Sequence, residues 1–324
     1  MTPSLIQFEQ DGQRGVALLD DEGVAHLLNE TASVYDLARQ CLAEGTALAD
    51  LAEARRGERV DLQSVRLLSP IDHPDDAHLL VSGTGLTHLG SAEGRDSMHK
   101  AAAAGTATDS MRMFLMGLEG GKSESGEGAQ PEWFYKGDGS ILVAPGEALV
   151  RPAFAGDGGE EPEIAGIYII DDEGQPRRLG FALGNEFSDH VTEQVNYLWL
   201  AHSKLRPAAL GPELLLGDLP DHVEGTSRIL RGDEVVWEKP FVSGEANMSH
   251  TIANLEHHHF KNAPFRRPGD IHVHFFGTAT LSYADGVTAQ DGDRFEITAE
   301  PFRMPVSNAL ETGTPAPLAQ AKAL

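Results

Sequence analysis

Residues 160–186 read EEPEIAGIYIIDDEGQPRRLGFALGNE. The run 164–170 is apolar and rich in isoleucine, the composition of a buried strand. Asp171-Asp172-Glu173-Gly174 is turn chemistry, and residues 179–186 return as a second strand. In an extended chain, residues two apart face one side. Glu161 and Glu163 therefore converge, and the returning strand brings Glu186 against them. Three carboxylates at one point repel, and a cation relieves them. A hard divalent ion such as Mg²⁺ prefers oxygen ligands and keeps waters that a substrate can displace. The segment reads as a hairpin with a metal site of Glu161, Glu163 and Glu186 at its open end.

Working outward, the first 70 residues have the pattern of a small α+β unit. Apolar runs at 5–8, 15–19 and 24–28 are separated by Asp11-Gly12 and Asp21-Glu22-Gly23, a strand meander. Val34, Leu37, Ala38, Cys41 and Leu42 then recur at helical spacing, with Ser33 and Asp36 placed to cap the start. Beyond residue 70 the texture changes to short strands at 65–68, 79–82, 141–143, 164–170, 271–276 and 294–297. The 35 glycines and 18 prolines lie mostly between such runs, which favours a barrel or rolled sheet over a helical bundle. The expected organisation is an N-terminal α+β domain over 1–70 and a β-rich catalytic domain over 71–324. Residues 117–130, GLEGGKSESGEGAQ, hold nothing to anchor them to a core and read as a mobile loop or lid. The tail after Thr312 reads as peripheral.

Composition removes several classes of function. Fifty acidic residues against 25 basic ones give a net charge of −25, a surface that repels phosphate backbones and anionic lipid. No apolar run approaches the roughly 18–20 residues of a membrane span. The expected protein therefore binds neither nucleic acid nor membrane. A single cysteine, on the buried stripe of its helix, excludes an intramolecular disulfide and fits a reducing compartment. Residues 1–5 lack the basic-then-apolar pattern of a secretion signal, so the expected location is cytoplasmic.

Several spaced motifs then accumulate in order. Glu161-x-Glu163 is followed by Gly184-Asn185-Glu186-Phe187-Ser188-Asp189, by Ser203-Lys204 and by Gly211-Pro212. Phe134-Tyr135-Lys136 with Ser140 precedes them, and Arg267-Pro268-Gly269-Asp270 with Gly277-Thr278 comes after. Over residues 70–300 this series resembles the signature of the fumarylacetoacetate hydrolase superfamily. The resemblance implies a distorted β-barrel or β-roll, a bound Mg²⁺ (sometimes Mn²⁺ or Ca²⁺) and a homodimer. His88 and Glu93 fall where that family has a lid histidine with a following glutamate. The departures are informative. Glu186 stands in place of the family's aspartate, the His88-to-Glu93 spacing is five rather than three, and His190 replaces the arginine of acylpyruvate hydrolases. What remains is similar to a subgroup of 2-keto-3-deoxy sugar acid dehydratases.

The chemistry of such a dehydration suits the inventory. A metal-chelated 2-keto acid accumulates charge on its keto oxygen as a C3 proton leaves. Lys204 is the expected base, its pKa lowered by the neighbouring cation. His88 held by Glu93 is the expected acid for the departing hydroxyl. Thr278, Lys136, Ser82 and His190 are the expected substrate contacts. The runner-up activity is hydrolysis of a C–C bond in an acylpyruvate or diketo acid, and a sugar-acid sensor without catalysis is the alternative of another class. The histidines at 257–259, 272 and 274 invite a different metal site, but a cupin-like His-x-His needs a following glutamate, and Phe275-Phe276-Gly277-Thr278 stands there instead.

Overall fold

The computed structural model describes residues 3–90, 105, 108–124 and 126–324. Its centre is the hairpin read from the sequence, Pro162–Ile170 against Pro176–Asn185. Every residue of the first strand is buried, which is why it reads as a continuous apolar run rather than an alternating one. Asp171 closes the turn by accepting the N–H groups of Glu173 at 3.1 Å and Gln175 at 2.7 Å, and Gly174 takes the left-handed conformation there, φ 74°.

A thirteen-stranded mixed sheet grows from this hairpin. On one side Ile271–Phe275 pairs with Pro162–Ile170, Leu79–Gly83 runs parallel to it, and Phe134–Asp138 forms the edge. On the other side Glu213–Leu215 joins Pro176–Asn185 to Ser4–Gln10, followed by Gln13–Leu19, Ala25–Leu28 and Arg56–Arg59. The predicted meander and helix in the first 70 residues both form. The helix, Val34–Glu44, is capped by the Ser33 hydroxyl on Asp36 N and buries Cys41. That unit is not set apart from the rest, since Ser4, Leu5 and Ile6 pair with Leu215, Leu214 and Glu213 inside the same sheet.

A second sheet of five strands, in the order Glu234–Ser243, Val223–Arg231, Arg294–Ala299, Val306–Thr312 and Leu149–Arg151, packs beside the first. The hairpin is shared between two cores. Ile167 and Ile169 join one with Leu5, Leu37 and Val273, whereas Ile164, Phe181 and Leu183 join the other with Ile229, Phe295 and Leu310. Each fully buried side chain of this kind contributes about 1.5–3 kcal/mol. The fold is mostly β, as expected, with its strands in two mixed sheets. Among the described residues no helix is long and apolar enough to cross a membrane.

One expectation is corrected. Residues 117–130 are not a free loop: 117–120 end the helix Asp109–Gly120, and the segment after it is anchored to the helix Ile252–Phe260 and its start. Thr251 N donates to Gly121 O, Gly128 N to Asn254 Oδ1, and Asn254 Nδ2 to Ala129 O. The anchors are polar and come from residues more than a hundred positions away, so no local apolar pattern announces them.

His259, His272 and His274 fill space between Ile252–Phe260 and the sheet. His259 Nε2 lies 2.9 Å from His272 Nδ1 and accepts Trp133 Nε1–H on its other nitrogen at 3.1 Å, while Ser82 Oγ lies 2.8 Å from His274 Nδ1. Burial pushes His259 down to about 3 and the other two well below their usual range, so all three stay neutral. The unfolded chain protonates them near pH 6.5, so their contribution is full above that value and is lost as pH falls from there toward 3. At pH 5, His259 alone costs up to about 2 kcal/mol relative to pH 7. Thermal melts should fall between pH 7 and pH 5, and His259→Leu should fall less over the same interval.

Candidate active site

Where the hairpin ends, its ladder continues into the site. Glu163 sits opposite Gly184 and Pro162 opposite Asn185. One step further, Glu186 N donates to Glu161 O at 3.0 Å and Glu161 N to Asn185 Oδ1 at 3.2 Å. This register brings Glu161, Glu163 and Glu186 together, buried, with one carboxylate oxygen of each within 4.8 Å of the others. Among the described residues this is the one group of three or more acidic, histidine or cysteine side chains able to hold a metal ion. The histidines at 257–259, 272 and 274 form no such group.

Two buried lysines reach the triad. Lys204, at the end of the short helix Leu200–Lys204, donates to Glu161 Oε1 at 2.7 Å, Glu186 Oε2 at 2.6 Å and Ser188 Oγ at 3.0 Å. Its Nζ also lies 4.9 Å from the centre of the Phe134 ring. Lys136 pairs with Glu186 from beneath and donates to the carbonyls of Phe187 at 2.6 Å and Lys204 at 3.1 Å. Burial opposes the charge on Lys204, but Glu161 and Glu186 outweigh it and hold its pKa well above the usual value. The ammonium stands between the two carboxylates.

The three glutamates are not equally compensated. Burial pushes Glu161 up, but Lys204 and His190 hold it well below the usual carboxylate range. His190 Nε2 lies 3.0 Å from Glu161 Oε1, and Asp157 and Glu161 lift the histidine to about 10 against its burial. Glu163 is pushed well above its usual value by burial and by the charges of Glu186 and Glu161. It accepts one backbone N–H, from Gly277 at 2.7 Å. Gly277 has φ 96°, and a Cβ there would lie 2.4 Å from Thr87 Oγ1, so this donor position demands glycine. An all-oxygen donor set with a buried, under-compensated carboxylate fits a hard divalent cation.

A cavity of about 400 Å³ opens onto Glu161, Glu163 and Lys204. Of the expected substrate contacts, His190 and Thr278 line it. Lys136 lies fully buried under the triad, and Ser82 is turned to His274. His88 is not in the lining either. It is buried, with Nδ1 3.0 Å from Thr87 Oγ1 and Nε2 3.0 Å from Ser243 Oγ, and burial lowers its pKa to about 4. Its expected partner Glu93 lies outside the described residues.

The cavity also presents side chains that the motifs did not mark: Glu132, Glu193, Tyr197 and Tyr283. Glu132 is raised to about 7, first by burial and then by Glu193, Glu161 and Glu186, with Lys204 opposing. The Tyr197 hydroxyl donates to its Oε2. Its other oxygen occupies the place a side chain on residue 85 would take, since a Cβ on Gly85 would fall 1.9 Å from Glu132 Oε1. Leu200 and Lys204 share one helical turn, the one local spacing signal in this part of the lining, whereas Glu193 lies in a separate helix, His190–Val195, beyond the extended residue Asn196. Glu132 carries no such signal.

Mg²⁺ at about 100 times its Kd should stabilise the protein by about 2.7 kcal/mol, read as an upward shift of the thermal melt relative to EDTA. Glu163→Gln should lose most of that shift. In EDTA it should melt above the wild type, because one of three repelling buried carboxylates is gone.

No protein-family model matches the sequence, and no curated protein matches it. Solved structures do match it in shape. A 2-keto-3-deoxy-D-arabinonate dehydratase complexed with magnesium and 2,5-dioxopentanoate superposes with TM-score 0.70 at 20% identity, over 96% of this chain and 99% of that one. Fumarylacetoacetate hydrolase from Exiguobacterium antarcticum gives 0.61 at 16%, over 96% and 100%. A 5-carboxymethyl-2-hydroxymuconate delta-isomerase from Mycobacterium smegmatis gives 0.60 at 17%, over 96% and 99%. What the chain shares with all three along nearly its whole length is architecture: its fold is that of the fumarylacetoacetate hydrolase superfamily.

Proposed function

We propose that the protein is a metal-dependent dehydratase of a 2-keto-3-deoxy sugar acid, converting a 2-keto-3-deoxy-pentonate to 2,5-dioxopentanoate. The observation that carries this reading is one cavity that opens onto two members of the carboxylate triad, a lysine and a carboxyl group poised near neutrality. The similarity in shape to a dehydratase complexed with magnesium and 2,5-dioxopentanoate supports it.

Glu161, Glu163 and Glu186 would hold Mg²⁺, with Mn²⁺ or Ca²⁺ as substitutes. Such an ion supplies a chelating anchor for the carboxylate and keto oxygens of the substrate and stabilises charge that develops on the keto oxygen. Lys204 Nζ is the base for the C3 proton, because it is the basic group that reaches both the triad and the cavity. Its proton affinity must fall for that role, and a divalent cation held by the triad would compete with it for Glu161 and Glu186, two of the carboxylates that raise it. Glu132, near pKa 7, is protonated in a good fraction of molecules and donates to the departing C4 hydroxyl. Glu132 is preferred for this step to the expected His88, which does not line the cavity. The C3–H and C4–O bonds break, water leaves, and the allylic alcohol tautomerises to the aldehyde. Thr278 and His190 contact the substrate, and Lys136 acts from below by fixing Glu186. Hydrolysis of an acylpyruvate would begin from the same chelate, but His190 in this protein is committed to Glu161.

We also propose that the working form is a homodimer. Leu198 is 86% exposed, Phe154 80% and Val195 66%. Two clefts that share Leu205 and Arg206 connect Phe154 and Trp199 to Tyr135 and Val150. On a chain of net charge −25, such a face is where two copies can meet. Light scattering should give twice 34.8 kDa, and Leu198→Glu should reduce it to the single-chain mass.

A panel of 2-keto-3-deoxy acids and acylpyruvates with Mg²⁺, followed through a semialdehyde dehydrogenase, tests the reaction. Turnover is expected for a pentonate, and turnover of acylpyruvates alone would establish the hydrolase instead. Lys204→Ala and Glu132→Gln should each lower kcat by about 10²–10⁴.

A further inference from the structure

Five carboxyl groups belong to this one cavity and its floor: Glu132, Glu161, Glu163, Glu186 and Glu193. Facing them are Lys136, Lys204 and His190, each already paired with Glu161 or Glu186. Glu132 and Glu193, unlike Glu161 and Glu186, have no lysine or histidine hydrogen-bonded to them. Glu132 accepts from the Tyr197 hydroxyl. Glu132 and Glu193 both lie within electrostatic reach of Glu161, and Glu193 lies within reach of Glu132. Around them the cavity presents Gln194, Tyr197, Tyr283 and Thr278, which are uncharged and able to hydrogen-bond, together with Lys204 and His190, which are held by Glu161.

A ligand tail in this part of the cavity meets oxygen acceptors in a partly dry setting. Hydroxyl groups satisfy them by donating, whereas a carboxylate offers only further acceptors and a like charge. We propose that Glu193, with Glu132 beside it, is a specificity determinant: it restricts the cavity to 2-keto acids with a single carboxylate and an uncharged, hydroxylated tail, and turns away analogues of the same length that end in a second carboxylate. This deepens the reading above and rests on it, because the keto-acid end must be held at the triad for the tail to reach Glu193. Discrimination of this kind works by penalising the wrong ligand rather than by gripping the right one.

Calorimetric titration of the Mg²⁺-loaded protein with 2-oxopentanoate and 2-oxoglutarate tests it, since neither has a C4 hydroxyl to lose. The dicarboxylate should bind about tenfold more weakly. Glu193→Gln should narrow that gap several-fold, whereas Glu193→Asp, which keeps the charge, should retain it. Equal or tighter binding of 2-oxoglutarate by the wild type overturns the proposal, as does a gap unchanged in Glu193→Gln. If those results come with normal turnover of a pentonate, the dehydratase reading survives and only the filter fails. If neither keto acid binds and no pentonate is turned over, both fall together.

Discussion

Three carboxylates forced together out of water set the terms for everything around them. Bringing Glu161, Glu163 and Glu186 within ligand distance costs desolvation and mutual repulsion, and both grow as the local dielectric falls. The fold meets that cost with Lys204 and Lys136, two ammonium groups that are themselves buried and could not remain charged there alone. Neither half is stable without the other, so removing one lysine leaves an uncompensated carboxylate in the core. The same arrangement makes the site exchangeable. A divalent cation held by the triad would take over carboxylate oxygens that the Lys204 ammonium now holds.

The scaffold explains why the triad keeps its shape. Its members ride on the ends of a hairpin buried on both faces and gripped by two separate cores, so the carboxylates cannot drift apart without unpacking one of them. Backbone groups complete the placement. Glu186 and Glu161 continue the ladder past the last paired residues, and Gly277 places its N–H on Glu163 from a neighbouring strand end. Placement by backbone is stiffer than placement by side chains, which is what an ion with exacting coordination geometry requires.

Much of this was legible because it is local. Glu161, Glu163 and Glu186 are joined by one turn and strict two-residue alternation, so their meeting can be read from the sequence once the turn is recognised. Lys204 comes from the family resemblance. What sequence reasoning missed is non-local. Glu132 stands just ahead of the strand Phe134–Asp138, with no motif around it, and becomes a cavity residue only because Gly85 leaves room and Tyr197 supplies a hydroxyl. His88 has the right type and position for an acid, but Ser243 and Thr87 occupy both of its nitrogens. The histidine-rich strand and helix look like ligands and pack as neutral aromatic filler, because no carboxylate or third nitrogen closes the set.

The pairing of Ser4–Gln10 with Glu213–Leu215 has a consequence for how the chain is made. The first strand leaves the ribosome about 200 residues ahead of its partner, which at about 5–20 residues per second means an interval of about 10–40 s. Throughout that time the meander exposes one flank whose N–H and C=O groups have no mate. Other nascent chains on the same message carry the same flank, and such an edge is a template for strand exchange between them. Synthesis speed, and the availability of holding chaperones during that interval, should therefore govern the yield of correctly assembled protein more than the stability of the finished fold does.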